Sequence, residues 1–344
     1  KVIHIPDTIE INDDIRRLTS VVCHSLSDVP DIIDTWNEGK VADVEGYYEN
    51  AKINRVYVDR VHVKKAFAEY TAAYNADDPK IKLKIDHTYR VAALCERIAK
   101  AAGMCAYDVE LAWLSGMLHD VGRFEQIKRY NTFSDADSVD HAKFGADLLF
   151  KDGLISTFLN GMVKCTGYKP GALEDRYSSD GVFLYDRLNK SDMEMLELAI
   201  RCHNMYRIPQ GLNRREQAFC NVLRDADKVD IFKVNIDTPL EEIYNTTTEE
   251  LMKSDITDEV LEAFDEEHCI LKAIRRTPAD TVIGHVSLAY ELVYDESVRI
   301  TVEQGYLAKL MHFHSDNEET NRKMAMVREK MDSYVKKRIG EKDA

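Results

Sequence analysis

His119 and Asp120 stand side by side in WLSGMLHDVGR, residues 113–123, among apolar residues that recur at helical spacing: Leu111, Leu114, Met117, Leu118 and Val121. A carboxylate buried in such a helix must be paired or must hold a cation. Imidazole and carboxylate together suit Fe, Mn, Zn, Ni or Co. The competing explanation is a hydrogen-bonded core histidine beside a capping aspartate. Four more potential ligands, His87, His141, His203 and Asp227, fall at the edges of apolar stripes or at the ends of other helical segments. Four imidazoles and two carboxylates are too many for one tetrahedral structural zinc. They suit two divalent ions about 3.5–4 Å apart, with open positions for water and substrate. Asp120 is the natural bridge, because His119 beside it binds one of them. Fe or Mn is favoured, with Mg, Ni, Co or Zn as further options. A leaner alternative is a single ion held by His87, His119, Asp120 and Asp227. The seven cysteines contain no CxxC pair, so a thiolate zinc site is not expected.

Helices must bring these residues together. Residues 80–103 read as one helix with Gly103 as its stop, and Lys84, His87 and Val91 share a stripe at i, i+3, i+7. Tyr107–Val121 reads as the next, ended or bent by Gly122, and 124–140 as a polar connector. Ser138 or Asp140 caps a helix through Phe150, which puts His141 in its first turn, while Gly145 lets a partner approach closely. The turn-rich stretch 152–190 is either an inert surface loop or a lid. A helix starting at Ser191 delivers His203 at its C-terminal end. In 216–233, Phe219, Val222, Leu223, Ala226 and Val229 point inward; Asp227 shares their side, Asp230 shares its face, and Asp225 is expected to face solvent. The remaining histidines lack acidic companions at ligand spacing and read as structural or exposed.

The fold class expected is all-α, with an N-terminal extension over 1–60, a helical core over 61–235 and a C-terminal helical segment, 236–344, packed on that core. With 44% hydrophobic and 31% charged residues, the chain suits a packed helical protein. Its net charge of −15 argues against a nucleic-acid polymer as partner. No run of about eighteen apolar residues is present, so no membrane span is expected. The cysteines read as reduced thiols, which places the protein in the cytoplasm. Oligomeric state is not legible.

The same residues resemble the HD-domain superfamily of metal-dependent phosphohydrolases. The order H…HD…D is met by His87, His119–Asp120 and Asp227, in the segments HTYRV, LHDVGRFEQ, SVDHAKFGADLLF, CHNMYRIP and LRDADKVDI. The resemblance covers about residues 65–235. The added His141 and His203 are similar to the extra ligands of the binuclear subset, which includes cyclic-di-GMP phosphodiesterases of the HD-GYP type. Here, however, His203–Asn204 and MYRIP stand in place of the double histidine and GYP signature.

The resemblance implies hydrolysis of a phosphoester in a nucleotide or another small phosphorylated metabolite, by attack of a metal-activated water. Asp120 would be the central catalytic carboxylate, Lys84 and then Arg123 the cations stabilising phosphoryl oxygens, and Asp230 a residue orienting a ligand or the water. Lys228 and Arg207 are weaker candidates, which surface exposure explains equally well. Gln126, Tyr130 and Asn204 are within possible reach of a substrate. The alternative from another class is a catalytically silent HD-type module that binds a nucleotide or a partner.

Overall fold

The computed structural model of the chain describes residues 58–159 and 190–340, together with two isolated two-residue ladders. In these, β1 (Ile3–His4) pairs in parallel with β2 (Val21–Val22), and β3 (Lys164–Cys165) pairs antiparallel with β4 (Phe183–Leu184). All other regular structure among the described residues is helical, so the fold is all-α. Apart from the ladders, the expectations for the N-terminal extension and most of the turn-rich stretch lie outside the described residues.

Helix α1 (Arg60–Thr71) starts at Asp59, whose carboxylate accepts from the Val61 and His62 amides. Asp78 caps α2 (Pro79–Ala101) in the same way, with Pro79 at the first helical position, where its missing N–H is harmless. Val91, Ala92, Cys95, Ile98 and Ala99 give α2 a fully buried face. Against it lies α3 (Ala106–Leu118), so closely that a Cβ at Gly116 would stand 2.6 Å from Ala92 Cα.

The chain next departs from expectation. It leaves helical geometry at Asp120 (φ −104°, ψ 16°) and at once begins α4 (Val121–Tyr130), so the first part of the expected connector is helix. Val121, Phe124 and Ile127 supply the buried face that propagates it. Gly122 therefore ends nothing. It is where α4 meets α5 (His141–Ala146): a Cβ there would lie 2.5 Å from His141 O and 2.7 Å from Gly145 N. Gly145 allows the close approach expected of it. Asp140 caps α5, which widens into a π-helical turn over Asp147–Lys151 before α6 (Ile155–Leu159).

Helix α7 (Lys190–Cys202) leads to His203, and α8 (Arg214–Asp237) opens with a reciprocal capping box between Asn213 and Glu216. Beyond it come α9 (Leu240–Tyr244), α10 (Thr248–Lys253), α11 (Asp258–Asp265), α12 (Pro278–Val286) with a 3₁₀ turn over Ser287–Glu291, α13 (Asp295–Gln304), α14 (Tyr306–Met311) and α15 (Glu318–Ile339). Asn245 ends α9 and Gly305 separates α13 from α14. Both adopt positive φ, 48° and 69°, which an α-helix does not tolerate.

The C-terminal helices change the reading of α8. Among the described residues one apolar core takes in members from Val58 to Ile339, and α8 is buried on both sides. Asp225 consequently does not face solvent. It is fully buried and accepts from the Val293 amide (3.0 Å), the Tyr294 amide (3.0 Å) and Ser297 Oγ (2.7 Å) at the start of α13. A lone helical wheel could not foresee a second layer on that face. No described helix is long and apolar enough to cross a membrane.

Candidate metal centre

The break between α3 and α4 turns His119 and Asp120 inward, where α2 supplies His87, α5 His141, the end of α7 His203 and α8 Asp227. The four imidazoles form a chain of edge contacts. Ring centroids are 5.3 Å apart for His87–His119, 5.1 Å for His119–His203 and 5.0 Å for His141–His203. Ligand atoms of His87, His119 and Asp120 lie within 4.8 Å of one another, as do those of Asp120, His141 and His203. Asp120 belongs to both groups. Asp227 Oδ1 lies 3.2 Å from His87 Nε2 and 3.8 Å from His119 Nε2, and its side chain keeps 15% of its surface exposed. All six sequence-predicted ligands are thus brought to one place.

Each imidazole is oriented through Nδ1. His87 Nδ1 donates to Asp230 Oδ2 (2.6 Å), His119 to Gly116 O (2.8 Å), His141 to Asp135 Oδ2 (2.7 Å) and His203 to Ile200 O (2.7 Å). Carbonyl and carboxylate oxygens only accept, so all four Nδ1 atoms carry the proton and all four Nε2 atoms face the cluster. The facing atoms are close: His87 and His119 Nε2 are 3.3 Å apart, and those of His141 and His203 are 3.1 Å apart. Two lone pairs at that distance repel unless a proton or a cation lies between them. Asp120 Oδ1 is buried without a hydrogen-bond partner. This donor set fits divalent cations: neutral imidazoles held in one tautomer, an orphaned carboxylate oxygen, and a buried surround.

The electrostatics differ across the cluster. His87 is raised above its ordinary value: burial and Lys84 oppose its charge, but Asp227 and Asp230 overcome both. His119 is lowered by burial despite Asp120. Burial, then Arg123, lowers His141 to about 4, and burial, then His119, lowers His203 to about 4. Burial disfavours the Asp120 carboxylate, yet Lys84, His119 and His141 hold it well below the usual range. Asp227 is lowered too, with His87 outweighing its burial.

The other proposed residues fall in several places. Lys84 Nζ donates to Asp120 Oδ2 at 2.7 Å. Asp230 is buried on His87 and takes a forked pair from Arg90 (2.6 and 2.9 Å), so it is not a helix-surface acid paired with Lys228 or Lys233. Arg123 brings Nε to 3.8 Å from Asp120 Oδ1, but its Nη1 donates to Gln126 Oε1, Phe133 O and Asp135 Oδ1. Gln126 is buried and donates to Asp135, Ser138 and Val139, a strut rather than a substrate contact. Asn204 donates to Asp140 (2.9 Å), and Tyr130 is exposed. Arg207 is exposed, whereas Lys228 is not the surface residue expected: it is buried, and burial followed by Arg224 lowers its pKa. Two residues escaped the sequence reading. Arg90 carried a signal, one turn from His87 in HTYRV; Asp135, inside an irregular connector, carried none.

A buried histidine–aspartate cluster shared by five helical segments forms two groups of side chains that could hold metal ions. Residues 85–233 match the family model for the HD domain. That superfamily consists mostly of metal-dependent phosphohydrolases, with some inactive members. No curated protein and no solved structure matches the chain.

Proposed function

We propose that the protein is a metal-dependent phosphohydrolase acting on a phosphoester of a nucleotide or another small phosphorylated metabolite. One observation carries the reading: four Nδ1-anchored imidazoles aim Nε2 at the two oxygens of a single buried aspartate. His87, His119, Asp120 and Asp227 would hold one ion, and Asp120, His141 and His203 a second, with Fe or Mn favoured by the imidazole–carboxylate set. Such ions, when bound, lower the pKa of water and polarise the phosphoryl group.

The protein groups do the rest. Asp230 and Asp135 fix the rings of His87 and His141 and make them better donors of electron density. Lys84 places an ammonium beside Asp120, where it would stabilise the negative charge that builds up on the phosphoryl oxygens. Arg123 Nε, buried without a partner, adds positive charge on the opposite oxygen of Asp120. The side chain of Asp227 remains partly open to solvent, which gives the cluster a side from which substrate arrives.

The second reading, a silent module, has one observation in its favour: Lys84 already neutralises Asp120 Oδ2 directly. Metal analysis after anaerobic purification, joined to a panel of phosphate mono- and diesters, separates the readings. About two ions per chain with turnover supports the proposal, and one ion with turnover supports the mononuclear form. No bound metal and no turnover overturns both in favour of the module.

A further inference from the structure

The four cluster imidazoles do not all rest on the same kind of acceptor. His119 and His203 donate through Nδ1 to the carbonyls of Gly116 and Ile200, which the backbone holds in place. His87 and His141 donate instead to carboxylates, Asp230 and Asp135. A carboxylate turns about its own side-chain bonds unless something grips its other edge. Asp135 is gripped three ways, by Arg123 Nη1 (3.0 Å), Gln126 Nε2 (3.0 Å) and Asn204 Nδ2 (3.3 Å). Asp230, among the described residues, is gripped by Arg90 alone.

That grip is a fork. Arg90 Nε donates to Oδ1 at 2.6 Å and Nη2 to Oδ2 at 2.9 Å, while Oδ2 also accepts from His87 Nδ1 at 2.6 Å. Two parallel bonds from a planar guanidinium fix the plane of the carboxylate, which a single bond does not. Arg90 stands one helical turn after His87 on α2, and Asp230 one turn after Asp227 on α8. Asp227 meets the His87 ring on its Nε2 side, 3.2 Å away, and Asp230 meets it on the Nδ1 side. Carboxylate and ring therefore stand between Arg90 and the cluster, so the guanidinium does not reach the ion site. Asp230 is buried, and without the fork its charge would lie against the His87 ring alone.

We propose that Arg90 is a positioning residue. Through Asp230 it fixes the ring of His87, and so sets the affinity for the ion held by His87, His119, Asp120 and Asp227 but not for the other ion. The proposal rests on the metal-binding half of the hydrolase reading and not on turnover. Arg97, two turns further along α2, is the built-in comparison. It forks onto Glu303 (2.7 and 2.9 Å) and donates through Nε to Glu296 (2.7 Å), tying α2 to α13 without touching the cluster. A strut behaves as Arg97 does; a positioning residue does not.

The test titrates the metal-stripped full chain with cobalt(II) against a calibrated chelator, reading the two ions by visible absorption. Arg90→Gln should weaken one ion about tenfold, the low end for a residue that supports a ligand, and leave the other within about twofold. Arg90→Lys keeps the charge but not the fork and should recover only part of the loss. In an Asp230→Asn background, Arg90→Gln should cost less than about twofold more, because its route is already cut. Arg97→Gln should change neither affinity. On metal-free protein at alkaline pH, ring-nitrogen NMR should show the His87 proton on Nδ1 in wild type and shared between both nitrogens in Arg90→Gln.

Equal weakening of both ions, a full further loss in the Asp230→Asn background, or a loss matched by Arg97→Gln would make Arg90 a strut and overturn the proposal. Unchanged affinities overturn it as well. If Arg90→Gln fails to fold, Arg90→Lys decides, and wild-type affinity for both ions is then the overturning result. Failure of the metal reading looks different, because the wild-type chain itself then binds no cobalt. The NMR experiment decides in that case: a His87 proton that moves on loss of Arg90 keeps the positioning role and overturns the metal centre instead. A proton fixed in both proteins overturns the positioning role too.

Discussion

The two sides of Asp120 solve the same electrostatic problem differently. On the Oδ2 side, Lys84 donates to the carboxylate, and Asp227 and Asp230 raise the pKa of His87. That side is compensated by the protein alone. On the Oδ1 side, His141 and His203 face each other at 3.1 Å with both pKa values near 4, Oδ1 has no hydrogen bond, and the nearest guanidinium nitrogen is 3.8 Å away. That side is compensated only when a cation comes from outside. A cluster of ligands is therefore not uniform evidence of need, and the second ion is the one whose loss the fold should feel more.

The largest effect is expected where the two sides meet. Asp120→Ala removes the shared carboxylate and should abolish binding of both ions and lower hydrolysis by more than roughly 100-fold, with the helical circular dichroism retained. Metal analysis and turnover on one preparation check it; wild-type turnover by this variant would falsify the central role of Asp120. His203→Ala reaches only the Oδ1 side. It should remove about one ion and leave the other, and an unchanged metal content would demote His203 to a packing residue.

Smaller effects are expected one step out from the ligands. Asp230→Asn and Asp135→Asn each leave the imidazole in place but weaken the acceptor at Nδ1, on opposite sides of Asp120. Each should cost roughly 10–100-fold in affinity for one ion only. Competition with a calibrated chelator would show two transitions, and the asymmetry proposed here fails if either variant shifts both equally.

What the sequence could reveal depended on how local each residue's partner was. His87, His119, Asp120, His141, His203 and Asp227 sit on, or at the ends of, helical segments with apolar periods, so the sequence announced which side each ligand faced. The all-α class was legible for the same reason. Asp225 was misread because its three donors arrive from residues 293–297, on a helix whose docking has no signature in the sequence of α8. Asp135 was missed because a connector has no period, and the burial of Lys228 was missed because a helical wheel cannot distinguish solvent from a second packed layer. Gly122 was noticed but misassigned: its spacing suited a helix end, whereas its role is to let α4 touch the backbone of α5.

Acidification gives the gentlest test of the asymmetry, on protein stripped of metal by chelator. His141 and His203 have folded-state values depressed to about 4 against 6.5 unfolded, so the unfolded chain binds protons first as pH falls. Their contribution is intact above pH 6.5 and is lost progressively between 6.5 and about 4; His119, also lowered, adds to the loss. His87 has the opposite sign: its raised value stabilises below 6.5 and loses that contribution as pH rises through the folded value. The depressed values of His141 and His203 set the expected direction, so the melting temperature of the stripped protein should fall from pH 6.5 to 5, by about 2–4 °C for each kcal/mol lost. His203→Ala removes one depressed imidazole and should show a shallower fall, whereas His87→Ala removes the opposing group and should show a steeper one. Equal slopes for the two variants would mean that both sides of Asp120 are compensated alike.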